Sequence, residues 1–361
     1  MSGLGYIFMD SQTYCEQRGG KVMRKKMKKI LTGIMLMSIL LGTGAVVSAY
    51  DGPKIKFRLA HTTPPGNHIT LAYKKFADLV KEKSHGKIQV QIFPNAVLGS
   101  DRVLIEGAQR GSLEMAVSST PNMANFALDY QVFDLPYITS PKYQKNLYKA
   151  LDNGELGKYF DKVARNIGLE NIMWAEYGYR NFCSVGKKIT NAKSLEGLKV
   201  RTTASPVEVD VAKALGMSPT PIAWGEVYTA LQQGTIDAEG NTFPHLFGAK
   251  HHEVLRYAMY SYHNYGMQLC VANKKWWDGL NPEMKKIIRQ SSAEALQYQR
   301  EVLYPENEKS AYEGFLKTGI EVHTLSDAEM DEIKRITRPV WDNYLKKLPA
   351  DLVKMVMDTQ K

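Results

Sequence analysis

The sequence predicts an α/β protein of two lobes with a ligand cleft between them and long helices toward the C-terminus. Three observations lead there. The 361 residues exceed what one hydrophobic core usually holds. A strand–helix rhythm fills the start of the chain and begins again near residue 176, the pattern of a mainly parallel sheet covered by helices. Beyond it stand two helix-opening signatures, Asn281-Pro282 and Ser326-x-x-Glu329.

Ile55 to Ala60 alternates and reads as a strand, followed by a Pro64-Pro65-Gly66 turn. Ile69 to Ser84 has helical spacing, with Gly86 as its stop. Ile88 to Phe93 alternates cleanly, Asp101 to Arg110 reads as a helix ended by Gly111, and Leu113 to Val117 is a short third strand. The rhythm resumes with strands over Asn171–Glu176, Leu198–Arg201 and Thr235–Ala238, and helices over Val207–Leu215 and Trp224–Gln233. The helix opened by Asn281-Pro282 is expected to end near Leu303, before Pro305. The two halves divide into lobe 1, residues 50–176 plus 267–305, and lobe 2, residues 177–266 plus 306–361.

Residues 1–49 read as a leader. Lys and Arg crowd residues 24–29, an uncharged apolar run follows to Ala49, and Val47-Ser48-Ala49 carries small residues where a signal peptidase reads. Cleavage is expected after Ala49, with Met23 as the natural start, and the destination is the periplasm. Seven Lys/Arg against Asp10 and Glu16 put half of the net charge of +10 in this leader. The remaining excess is interspersed with acids, so nucleic acid is not an expected partner.

No G-x-S-x-G, H-E-x-x-H, P-loop or dinucleotide-binding glycine motif occurs, and no Cys/His spacing suits a metal. No cofactor and no metal are expected. The tandem His251-His252 reads as a surface pair, because adjacent residues point in different directions. Cys15 lies in the leader, and Cys183 and Cys270 either pair or stay as buried thiols. An exported two-lobed α/β chain reads as a clam-shell binder, whose ligand sits at the carboxyl ends of the strands and whose lobes close by hinge motion.

Four stretches carry a resemblance. They are Phe93-Pro94-Asn95-Ala96-Val97-Leu98-Gly99-Ser100-Asp101, Phe133-Asp134-Leu135-Pro136-Tyr137, Leu195-Glu196-Gly197-Leu198-Lys199-Val200-Arg201, and Gly216 through Asp237 with Pro219, Pro221, Trp224, Tyr228 and Gly234. In this order, from Ile55 to about Lys347, the chain resembles the solute-binding subunits of tripartite ATP-independent periplasmic (TRAP) transporters, the DctP-type family. The resemblance implies a type II-like periplasmic binding fold, a small carboxylate ligand, membrane permease subunits as partners, and a monomer. It implies no catalysis.

Arg201 ends a short strand, where side chains enter the crevice, and its planar fork matches a carboxylate. The resemblance makes it the main carboxylate clamp and Arg180 a second arginine on the same anion. It places Asn241 as a ligand contact, although Gly240 stands where the family has an acid and Glu239 lies one residue earlier. It makes Trp224 an aromatic pocket wall and His263 an orienting residue. His61, Ser119, Thr120 and Asn122 follow first-lobe strands and are expected to face the crevice with groups suited to a hydroxylated ligand. Acidic and basic residues that mark the sialic-acid branch are absent at Ser119 and Asn122. A sugar acid and a short dicarboxylate both fit. Two other readings stay open: an exported enzyme using His61 or Glu239 as base, and a ligand sensor for a membrane receptor.

Overall fold

The computed structural model describes residues 50–361; the leader, its cleavage point and Met23 lie outside them. Nine strands form one mixed sheet: β1 (Ile55–Ala60), β2 (Ile88–Phe93), β3 (Met115–Ser119), β4 (Leu169–Ser184), β5 (Lys199–Thr202), β6 (Ser218–Pro221), β7 (Ala238–Asn241), β8 (Tyr257–Asn273) and β9 (Glu321–Thr324). Their order is β2-β1-β3-β8-β4-β7-β5-β6, with β9 beside β8. The β1–β2, β1–β3, β5–β6 and β5–β7 pairs are parallel, and β4 and β8 run antiparallel between the two parallel groups.

β4 and β8 are the long members, and they belong to both halves of the sheet. Residues 268–272 of β8 lie against β3, and residues 181–184 of β4 lie against β7. Their mutual register slips between Glu176 and Gly178 and again between Arg180 and Phe182. Such bulges bend a strand and re-aim its side chains. Sequence reading found only Asn171–Glu176 of β4 and none of β8. Every residue of β4 is buried, so no alternation of apolar and polar faces marks it. β7 begins three residues later than expected. Gly234 takes a left-handed turn (φ +69°) and Asp237 N–H donates to Lys199 O at 2.7 Å, which holds 235–237 as the approach to the strand.

The helix signatures form as read. Asn281 Oδ1 caps the helix Pro282–Tyr298 by accepting from Met284 N–H at 2.8 Å. Ser326 and Glu329 cap each other reciprocally at the head of Asp327–Thr337. Pro305 does not stop the long helix. A π turn over Gln299–Leu303 leads into Tyr304–Lys317, and Pro305 falls in the first turn of that new segment, where its missing N–H breaks no bond. Among the described residues no helix is long and apolar enough to cross a membrane.

Cys183 and Cys270 are free and buried. Cys270 lies opposite Met173 and Cys183 ten residues further along β4. At ~3.3 Å per strand residue they are ~30 Å apart, far beyond disulfide reach.

Candidate functional site

A cavity opens where the carboxyl ends of β1 and β3 face β4 and β5. One wall comes from the first part of the chain: Thr62, Asp101, Ser119 and Asn122. The facing wall is Tyr177, Arg180, Arg201, Thr203, Trp224 and His245, with Gln268 of β8 between. Its empty space is about 240 Å³, and an adjoining space of about 390 Å³ shares Arg180 and Arg201.

Arg201 occupies the third position of β5 and is 4% exposed. Its Nε donates to Ile222 O at 3.0 Å, and its guanidinium lies 5.8 Å from the Trp224 ring centre. No carboxylate of the described residues comes within ion-pair distance of it. Burial, and then the like charge of Arg180, lower its affinity for its proton. Arg180 lies on β4 between the two register slips and is also buried. It donates through Nη1 to Gly240 O at 2.9 Å, its Nε stands 3.5 Å from Glu208 Oε1, and it packs over Tyr177. Its Nε is buried without a hydrogen-bond partner.

Asp101 opens the helix Asp101–Arg110 and accepts from Ser119 N–H at 3.4 Å. Burial raises its pKa, opposed by hydrogen bonds from Ser119 and Ser118 and by the charge of Arg201. Asn122 Nδ2 donates to Ser119 Oγ at 3.1 Å. Trp224 packs tilted against His245 at 4.0 Å and stacks on His251 at 4.7 Å. Burial keeps His245 neutral, with its pKa well below the usual range.

Of the residues expected at the site, Arg201, Arg180, Trp224, Ser119 and Asn122 line this cavity. His263 lines the adjoining one, flat against Phe182 at 3.9 Å, with Nδ1 2.9 Å from Ser261 Oγ. Asn241 stands behind Tyr177: its Oδ1 accepts from Tyr177 O–H at 2.7 Å and from Thr242 N–H at 2.9 Å, and its Nδ2 is buried without a partner.

Besides Asn241, three expected residues lie off the lining. His61 turns to Tyr73 and Thr63, with Nδ1 2.5 Å from Thr63 Oγ1, while its neighbour Thr62 lines the cavity. Thr120 turns inward, its Oγ1 accepting from Met267 N–H at 3.4 Å. Glu239 is buried beyond Trp224, its Oε1 2.5 Å from His251 Nδ1. His251 is therefore a buried partner and not a surface residue, while His252 stacks on Phe247. Sequence reading missed six lining residues. Asp101 and Tyr177 stood inside segments it had singled out. Thr62 lay one place from His61, whereas Thr203, His245 and Gln268 carried no local signal.

Two α/β lobes joined by shared strands, with buried arginines opening on the space they enclose, define a two-lobed solute-binding protein. Residues 59–347 match the family described as "Bacterial extracellular solute-binding protein, family 7" (DctP). The chain belongs to this family, the solute-binding subunits of TRAP transporters, whose members bind solutes rather than catalyse and are periplasmic. It is 30% identical over 305 residues to the 2,3-diketo-L-gulonate-binding periplasmic protein YiaO of Escherichia coli, covering 84% of this chain and 92% of the relative. It is 29% identical over 330 residues to the C4-dicarboxylate-binding periplasmic protein DctP of Rhodobacter capsulatus, covering 89% and 97%. The crystal structure of the sugar acid-binding protein of Advenella mimigardefordensis in complex with galactonate superposes with a TM-score of 0.82 at 27% identity, covering 86% of this chain and 99% of that one.

Proposed function

We propose that this protein captures a small organic acid, a sugar acid or short dicarboxylate, by clamping its carboxylate between Arg201 and Arg180 and delivers it to membrane permease subunits. It is exported to the periplasm, with the leader removed after Ala49, and works as a monomer. The lobes that close on the ligand are residues 50–176 plus 267–305 and residues 177–266 plus 306–361. Their hinge lies at the β4 register slip beside Glu176. Relatives that bind a diketogulonate, a C4-dicarboxylate and galactonate support the ligand class.

One observation carries the reading: Arg201 is buried, faces a cavity, and has no acidic partner within ion-pair reach among the described residues. A buried cation without a counter-charge is costly, and a ligand carboxylate supplies that charge through paired hydrogen bonds. The test is calorimetry over a panel of organic acids, with a thermal shift as the screen. An acid at 100 times its Kd stabilises the fold by about 2.7 kcal/mol. For the acid that binds, Arg201→Ala weakens affinity by about two to four decades; unchanged affinity removes the clamp. Recovery of the acid intact after incubation separates binding from turnover, and co-purification of permease subunits separates transport from sensing.

A further inference from the structure

We propose that the protein takes up its acid together with one proton, and that the buried carboxyl pair Asp134 and Glu208, behind Arg180, holds that proton. The inference rests on the arginine clamp proposed above. Arg180 lines both spaces, so the one beyond it is joined to the clamp through a single guanidinium. Five polar atoms of the residues lining that further space are buried with no hydrogen-bond partner among the described residues: Asp134 Oδ1, Glu208 Oε1, Asn264 Oδ1, Thr202 Oγ1 and Arg180 Nε. Three of them only accept, one is a hydroxyl, and one is a donor. A proton on either carboxyl turns an acceptor into a donor and relieves the imbalance.

The pair is fixed by one short stretch of chain after β5. Asp134, 1% exposed, accepts through Oδ2 from Ser205 O–H at 2.6 Å, and Glu208 Oε2 accepts from Thr203 O–H at 2.7 Å and Thr203 N–H at 2.9 Å. Among the described residues no cation stands within ion-pair distance of Asp134, and Glu208 has Arg180 alone, at 3.5 Å. Other ionisable groups surround the pair. Asp210 shares the helix Pro206–Ala214 with Glu208 and accepts from Tyr344 O–H of the helix Val340–Leu345 at 2.7 Å. Arg201 of β5 and His263 of β8 line the same space, and burial lowers the His263 pKa to about 3, so that ring is neutral. Burial, and then the like charge of Glu208, raise the Asp134 pKa, with Arg180 opposing. A ligand carboxylate on the arginines brings a third negative charge to a guanidinium that already faces these two. Like charges in a medium that screens poorly do not all stay ionised. The bound acid therefore raises the pair's affinity for a proton, and by linkage the proton tightens the acid in equal measure.

The test is calorimetry of the unmodified protein with galactonate and with succinate between pH 6 and pH 9, each pH in two buffers of different ionisation enthalpy, so that protons taken up are counted directly. For the acid that binds, affinity falls as pH rises, toward tenfold per pH unit where uptake approaches one proton per acid. Asp134→Asn keeps an acceptor for Ser205 O–H and supplies the missing donor, and Glu208→Gln does the same beside Thr203. Each cuts the uptake at least about threefold and flattens the profile, and the second serves if the first does not fold. An affinity level across the range with no proton taken up overturns the inference, as does an uptake unchanged in both variants. Arg201→Ala decides the clamp separately: if it abolishes binding of an acid that enters without a proton, the clamp stands and only the role of the pair falls. If neither acid binds, the ligand-free pair is read from melting temperatures. The parent then loses stability relative to Asp134→Asn as pH rises from 6 to 9, since the folded carboxyl holds a proton that the unfolded chain has released. Parallel melting profiles overturn the inference.

Discussion

Trp224 touches both Arg201 and His251. The guanidinium lies 5.8 Å from its ring centre, and the His251 ring stacks on it at 4.7 Å. Behind it the buried Glu239 holds His251 at 2.5 Å. The arginine is thus braced by an aromatic plate that is itself anchored to the core. Trp224→Ala removes the plate and leaves Arg201 free to change rotamer, so ligand affinity falls about ten- to hundredfold. Trp224→Phe keeps a ring face and falls less than about tenfold. Calorimetry with the acid that binds checks both, and equal losses in the two variants count against the bracing role.

Arg201→Lys keeps the charge and discards the geometry. The Nε bond to Ile222 O and the fork toward the cavity are both lost. Affinity drops at least roughly tenfold although the net charge is unchanged. A lysine variant that binds as tightly as the parent makes the site a simple point-charge attraction, and the measured Kd decides between them.

Glu176 lies at the β4 slip, fully buried, accepting from Tyr265 O–H at 2.8 Å and from Tyr148 O–H. Burial pushes its pKa up to about 7 from the ordinary 4.5. Between these values the folded protein keeps a proton that the unfolded chain has released. Its contribution is therefore present below about 4.5 and lost as pH rises through 7. Glu176→Gln abolishes this dependence. Relative to the parent, the variant gains about 2–3 kcal/mol between pH 5 and pH 8, read from urea denaturation of both proteins at both pH values. Parallel pH profiles rule out the shifted carboxyl.

Cys183 and Cys270 are both buried, and burial raises both thiol pKa values. Neither reacts with an aromatic disulfide reagent while the fold is intact, both titrate after denaturation, and reductant leaves the melting temperature where it was. A melting temperature lowered by reductant contradicts free thiols.

The early part of the chain was the easiest to read, for a physical reason. β1 and β2 and the helices after them each expose one face, so period 2 and period 3.6 show directly in the residue types, and Gly111 marks the end of the second helix. β4 and most of β8 are buried on both faces, which erases the alternation. Pro305 misled because a π turn three-dimensionally accommodates what a regular helix rejects. At the site, Arg201 and Arg180 were visible through motif and strand end. His245 and Gln268 were not, since only the fold brings them there.

The sequence by itself determined an α/β binder of two lobes and picked out the two arginines that line its cavity, because periodicity, caps and motif order are local properties of the chain. Tertiary structure alone decided which neighbours share their cavity. It put Asp101 and Thr62 on the opposite wall, turned His61 and Thr120 into the core, and set Glu239 behind Trp224. Those outcomes depend on the register between strands distant in sequence, where a shift of one residue sends a side chain to the other face.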